Sequence, residues 1–213
     1  MPRLGVYSSD FKLYHDIIEL LKQWGLPFTS IEDPSVVPPD VSAVICSPNY
    51  LPLFPNGISS NTPLGALRKS LARLVSKDRF GEVVIGIDPG PYPGIAVFAD
   101  GILTEAYECP FLERLQADIE GILTGYSSEK FSIRVGDGDK PNRDQIVRML
   151  NAFDVPHSIV SEKNTSFPHK LHNNALSAAR IASQSSFKTD YQYFKGRKHA
   201  IDREFQTLRK ILS

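Results

Sequence analysis

Apolar residues recur along this chain in two rhythms, and the switches between them lay out the expected elements. Leu4-Gly-Val-Tyr reads as a short strand. Phe11, Leu13, Tyr14, Ile17, Ile18, Leu20 and Leu21 follow at helical spacing up to Trp24, with Ser9 or Asp10 to cap the helix and Gly25 to end it. Residues 27–31 and Val41-Ser-Ala-Val-Ile-Cys are the next two strands, the latter apolar enough for full burial. Pro48, Pro52, Pro55, Gly57 and Pro63 then predict a long loop without regular structure over 47–63. A helix over 64–76 sets Leu67, Leu71, Leu74 and Val75 on one side and Arg68, Lys69, Arg73 and Lys77 on the other.

After the charged stretch Lys77-Asp-Arg-Phe the pattern restarts with Val83-Val-Ile-Gly-Ile, a β-branched run suited to a central strand. Pro89-Gly-Pro-Tyr-Pro-Gly makes a tight turn, and residues 95–107 read as a hairpin turning at Asp100-Gly101. Helices over 111–123 and 143–153 alternate with strands over 131–135 and 156–160. An Ala-rich helix over 171–183 and a last helix over 197–212 close the chain. Three strands followed by helix–strand alternation mix antiparallel and parallel pairing in one sheet. The expected organisation is a small open α/β domain over 1–79 and a second α/β domain over 80–213.

Formal net charge is zero, so no global field draws the chain to nucleic acid or to an acidic membrane. The charge is uneven, however: Lys188, Lys195, Arg197, Lys198, Arg203, Arg209 and Lys210 make the tail basic. Cys46 and Cys109 form no spaced pair and read as reduced core thiols. No apolar run approaches the roughly 18 residues of a membrane span, and Met1-Pro-Arg-Leu opens no signal peptide. The expectation is a cytoplasmic protein with no membrane partner.

Asp88 carries the first chemical signal, because it ends a buried strand just before Pro89-Gly90, a usual ligand position in α/β sheets. Gly90 and Gly94 leave room for a ligand; the plain alternative is an Asp that caps its own turn. Ile87-Asp-Pro-Gly followed by Gly94-Ile-Ala-Val-Phe resembles the first motif of the ribonuclease-H-like superfamily, in particular its RuvC and YqgF branches. The resemblance covers about 82–183 and implies a mixed five-stranded sheet flanked by helices. It also implies a magnesium- or manganese-dependent nuclease in which Asp88 binds the metal. Two-metal hydrolysis needs several converging carboxylates. Asp137 in Val135-Gly-Asp-Gly-Asp is one candidate for the second acid, with Asp139 weaker. Glu162 in Ile159-Val-Ser-Glu-Lys-Asn-Thr-Ser is the other, with Lys163 where the YqgF segment has Arg and Thr165 matching its Thr.

At the third position the superfamily carries an acid on the helix after the fifth strand, and here Asn174 takes its place before Ala175-Leu176. Asn174 shares a helical face with Leu171, Ala178 and Ile181, turned toward the sheet, but an amide lacks the charge that attracts magnesium. His169 and His172 flank this helix start as proton donors, phosphate contacts or plain caps. In the tail, Lys195, Arg197 and Lys198 beside Tyr191, Tyr193 and Phe194 suit contact with single-stranded or branched nucleic acid. The same helix equally reads as a packing element with Phe194, Ile201, Phe205, Leu208 and Leu212 inward. The implied partner is DNA or RNA, and the RuvC branch implies a homodimer. Against the nuclease stands a non-catalytic nucleic-acid-binding or scaffold protein that keeps the fold with a degraded metal site. A third, lower reading as an actin-like phosphotransferase requires two copies of the fold, and one is present.

Overall fold

The computed structural model describes residues 2–161 and 174–183. These form two compact units, one of 2–80 with 121–127 and one of 81–120, 128–161 and 174–183.

In the first unit, β1 (Arg3–Tyr7), β2 (Phe28–Ser30), β3 (Val41–Cys46) and β4 (Gly57–Ile58) make a parallel sheet in the order β2-β1-β3-β4. Helix α1 (Phe11–Trp24) begins where Asp10 accepts from the Leu13 N–H, so Asp10 rather than Ser9 is the cap. It ends at Gly25, whose φ of 63° lets its N–H return to the Leu21 and Lys22 carbonyls. Helix α2 (Pro63–Leu74) starts on the Thr62 hydroxyl. The two helices touch each other and both pack on β1. A separate core of Ile31, Val41, Val44, Cys46 and Phe54 includes the half-buried Tyr7 and Tyr50. A shift in pairing beside Ser42 puts Val41 and Val44 on one face despite their odd spacing.

In the second unit, β5 (Phe80–Asp88), β6 (Gly94–Ala99), β7 (Ile102–Glu108), β8 (Ser128–Gly136) and β9 (His157–Val160) form a mixed sheet ordered β7-β6-β5-β8-β9. β5, β6 and β7 run antiparallel to one another, and β8 and β9 are parallel. Phe80 N–H bonds the Ser127 carbonyl, and further along Ser132 reaches Glu82, so β5 and β8 point the same way. Helices α3 (Leu115–Gly125) and α4 (Lys140–Leu150) separate β7, β8 and β9, and α5 (Asn174–Ser183) lies across β6, β7 and β8. Ala178, Ala179 and Ala182 of α5 meet Val84, Ala96, Phe98 and Leu103. The expected mixed five-stranded sheet with helices, preceded by an open α/β unit, is present.

Several expectations give way. The segment 47–63 is not structureless: Pro48–Leu53 winds into a 3-10 turn and Gly57–Ile58 adds a two-residue edge strand to β3. Proline is compatible with a first helical turn, and an edge strand this short leaves no alternation to read. Arg68, placed on the charged side of α2, is buried, its stem against Gly125 and its guanidinium against Gly121 of α3 within the first unit. Helix α4 starts three residues before the expected 143, because Asp139 caps it and Pro141 suits its first turn. Cys46 and Cys109 are free and buried, as expected. Among the described residues no helix is long and apolar enough to cross a membrane. The expected last helix over 197–212 lies outside the described residues.

Candidate functional site

The site is built at the C-terminal end of β5. Antiparallel register sets Asp88 opposite Gly94 and Gly94 opposite Glu108, so these three residues form a row across three strands. Directly opposed residues share a face, which puts both carboxylates on the side that α5 covers. Two strand spacings separate Asp88 from Glu108, about 10 Å between backbones. The middle of the row is glycine for a steric reason: a side chain at Gly94 would collide with the Asn174 carbonyl. Gly86, two residues before Asp88 and on the same face, likewise admits the Ala178 carbonyl.

Helix α5 therefore begins directly over the row. The Asn174 N–H donates to Glu108 Oε1 at 3.1 Å, and Asn174 Nδ2 donates to the Tyr92 carbonyl at 2.7 Å. Cys109 N–H donates to the Pro93 carbonyl at 2.7 Å, which ties the loop after β7 to the turn before β6. At the other end of α5 the buried Arg134 guanidinium donates to the Ala182 carbonyl. Burial lowers the Arg134 pKa, and the Glu82 carboxylate opposes that shift.

Asp137 follows β8, whose C-terminus lies at the same end of the sheet as Asp88. Its N–H extends the β8–β9 ladder to the Val160 carbonyl at 2.9 Å, and its carbonyl accepts from Arg143 Nη1 at 3.3 Å. Asp139 is a helix cap, its carboxylate accepting from Asn142 N–H at 3.4 Å and Asn142 Nδ2 at 2.9 Å. Asp88, Asp137 and Asn174 thus share one end of the sheet. Glu162, Lys163, Thr165, His169, His172, Lys195, Arg197 and Lys198 lie outside the described residues. Among the described residues, no three of His, Cys, Asp and Glu converge closely enough to hold a metal ion.

Glu108 is the residue that sequence reasoning missed. Counting outward from Asp100-Gly101 pairs Gly94 with Tyr107, but a bulge opposite Val97 and Phe98 advances the register by one and brings up Glu108.

The first unit offers a second place, where β1 and β3 end side by side and the strand order reverses. It is closed by hydroxyls: Ser8 and Ser47 Oγ atoms are 2.8 Å apart, and Tyr50 OH donates to Ser9 Oγ at 2.8 Å. Asp10, the nearest acid in sequence, is occupied as the cap of α1.

No curated protein matches the chain. Residues 3–74 match the model of a response regulator receiver-like domain, a likeness confined to the first unit and to less than half of the chain.

Proposed function

We propose that the second unit is a ribonuclease-H-like domain acting as a metal-dependent phosphodiesterase on nucleic acid. The observation that carries this reading is the sheet order β7-β6-β5-β8-β9 with Asp88 ending its central strand under the start of α5. Counted within the unit that is third, second, first, fourth, fifth, a mixed five-stranded sheet of the kind the resemblance implies. The donor chemistry fits a hard cation, since magnesium is commonly held by one or two carboxylates together with water and substrate phosphate. Asp88 would hold it, with Asp137 or Glu162 as the second acid. When bound, such an ion supplies Lewis acidity and a more acidic water. Asn174 keeps a carbonyl oxygen at the start of α5, while its amide nitrogen is engaged by Tyr92.

A second reading, a nucleic-acid binder with a degraded site, is favoured by that same residue. The superfamily's acid is replaced by an amide, and the nearby Glu108 carboxylate is engaged by the α5 backbone.

Incubation with magnesium or manganese and single-stranded, hybrid or branched substrates separates the two readings. Cleavage by the wild type that falls at least about 100-fold in Asp88→Asn supports the enzyme. Salt-sensitive binding by both forms without cleavage supports the binder. Neither cleavage nor binding rejects both.

A further inference from the structure

Two large aromatic side chains stand in solvent at the Asp88 end of the second unit. Tyr92, in the turn between β5 and β6, is 60% exposed, and Phe111, just past β7, is 51% exposed. Isolated exposed apolar residues are ordinary. These two differ in being fixed from beneath. Tyr92 lies between Pro91 and Pro93, and its carbonyl receives the Asn174 amide at 2.7 Å. Its loop is stapled to that of Phe111 by the bond from Cys109 N–H to the Pro93 carbonyl, at 2.7 Å. Phe111 is itself held in extended backbone at the cap of the 3-10 turn Leu112–Arg114. A ring on a braced backbone loses little entropy when something stacks on it.

We propose that Tyr92 and Phe111 form a stacking ledge for unpaired bases, so that the substrate of the Asp88 site is a single strand or an unpaired segment. The inference deepens the proposed function and rests on its assignment of nucleic acid to this end of the sheet. Stacking on aromatic side chains is available to any base whose face is free, whereas a duplex keeps its base faces to itself. Both residues sit in the loops that adjoin the row Asp88–Gly94–Glu108: Gly94 follows Pro93 and Glu108 precedes Cys109. A strand stacked on them would have its backbone at the end of the sheet that carries the carboxylates.

The test uses the full chain and fluorescence anisotropy with a labelled 20-nucleotide oligothymidylate and a labelled duplex of the same length. The wild type is expected to bind the single strand more tightly than the duplex. Tyr92→Ala and Phe111→Ala should each weaken single-strand binding about tenfold. Tyr92→Phe and Phe111→Tyr keep a ring and should bind within about twofold of the wild type. Single-strand affinity unchanged in both Ala variants, tighter duplex binding, or no binding by the wild type overturns the ledge. Cleavage of the same oligonucleotide, followed in parallel, keeps the two ideas apart. Loss of affinity in the Ala variants without any cleavage rejects hydrolysis and leaves the ledge. Cleavage with affinity indifferent to both rings rejects the ledge and leaves hydrolysis.

Discussion

Asn174 is held through its donors: the backbone N–H goes to Glu108 and the amide nitrogen to the Tyr92 carbonyl. An ionised aspartate has no donor to offer, so Asn174→Asp sets a carboxylate against that carbonyl. Losing the bond costs about 1–3 kcal/mol, and the helix N-terminus returns about 0.3–1 kcal/mol of it. Urea unfolding is therefore expected to show a net loss of about 1 kcal/mol without magnesium. Under the proposed function the new charge also raises metal affinity. Magnesium should then raise the melting temperature of Asn174→Asp more than that of the wild type. An equal gain would mean that this corner faces no metal. Glu108 supports the same residue from the other side. Glu108→Gln keeps an acceptor and should be near neutral, while Glu108→Ala leaves the first N–H of α5 without its protein acceptor, at about 1 kcal/mol in the same measurement.

At the scale of elements, α5 is placed by absent side chains as much as by present ones. Gly86 and Gly94 let its backbone descend onto β5 and β6, and Ala178 and Ala182 present a small face to match. The contact partner at Gly86 is a backbone carbonyl, which has no rotamer with which to move away. Gly86→Ala is expected to cost about 2–3 kcal/mol, an overpacking penalty, and to speed amide exchange in α5 before the rest of the unit. Unchanged exchange in α5 would mean that the helix is held elsewhere. Periodicity alone reveals this helix, because Ala178 and Ile181 fall on the buried face as their spacing requires. The hairpin is equally readable from Asp100-Gly101, whose φ values of 47° and 82° fit the tight turn expected of that pair. The bulge is not readable. It depends on how β7 settles against β6 beyond the turn, and with it went the pairing of Glu108.

For the whole molecule, legibility followed the range of the interactions. Caps, turns and apolar runs are local, and Asp10, Gly25, Asp100-Gly101 and Val41–Cys46 all sit where their chemistry puts them. The burial of Arg68 is not legible in its helical spacing, because it depends on Gly121 and Gly125, some fifty residues on, which only the folded chain brings to it. Cysteine chemistry spans both units with the same sign. Cys46 in the first unit and Cys109 in the second are both buried, and burial pushes each thiol above its ordinary pKa; at Cys109 the Asp118 carboxylate adds to the push. A thiol whose pKa is raised on folding binds its proton more tightly in the native state. Its contribution to stability is thus fully present below the unfolded pKa and lost as pH rises through the folded value. The melting temperature should begin to fall above about pH 8.5, the ordinary thiol value. Lysines and tyrosines titrate in this range as well, so the comparison that isolates the thiols is with Cys46→Ala/Cys109→Ala. That variant is expected to be less stable at pH 7, having lost two buried sulfur atoms, yet to decline less steeply between pH 8 and 10. Curves that fall in parallel would place the alkaline sensitivity in other groups.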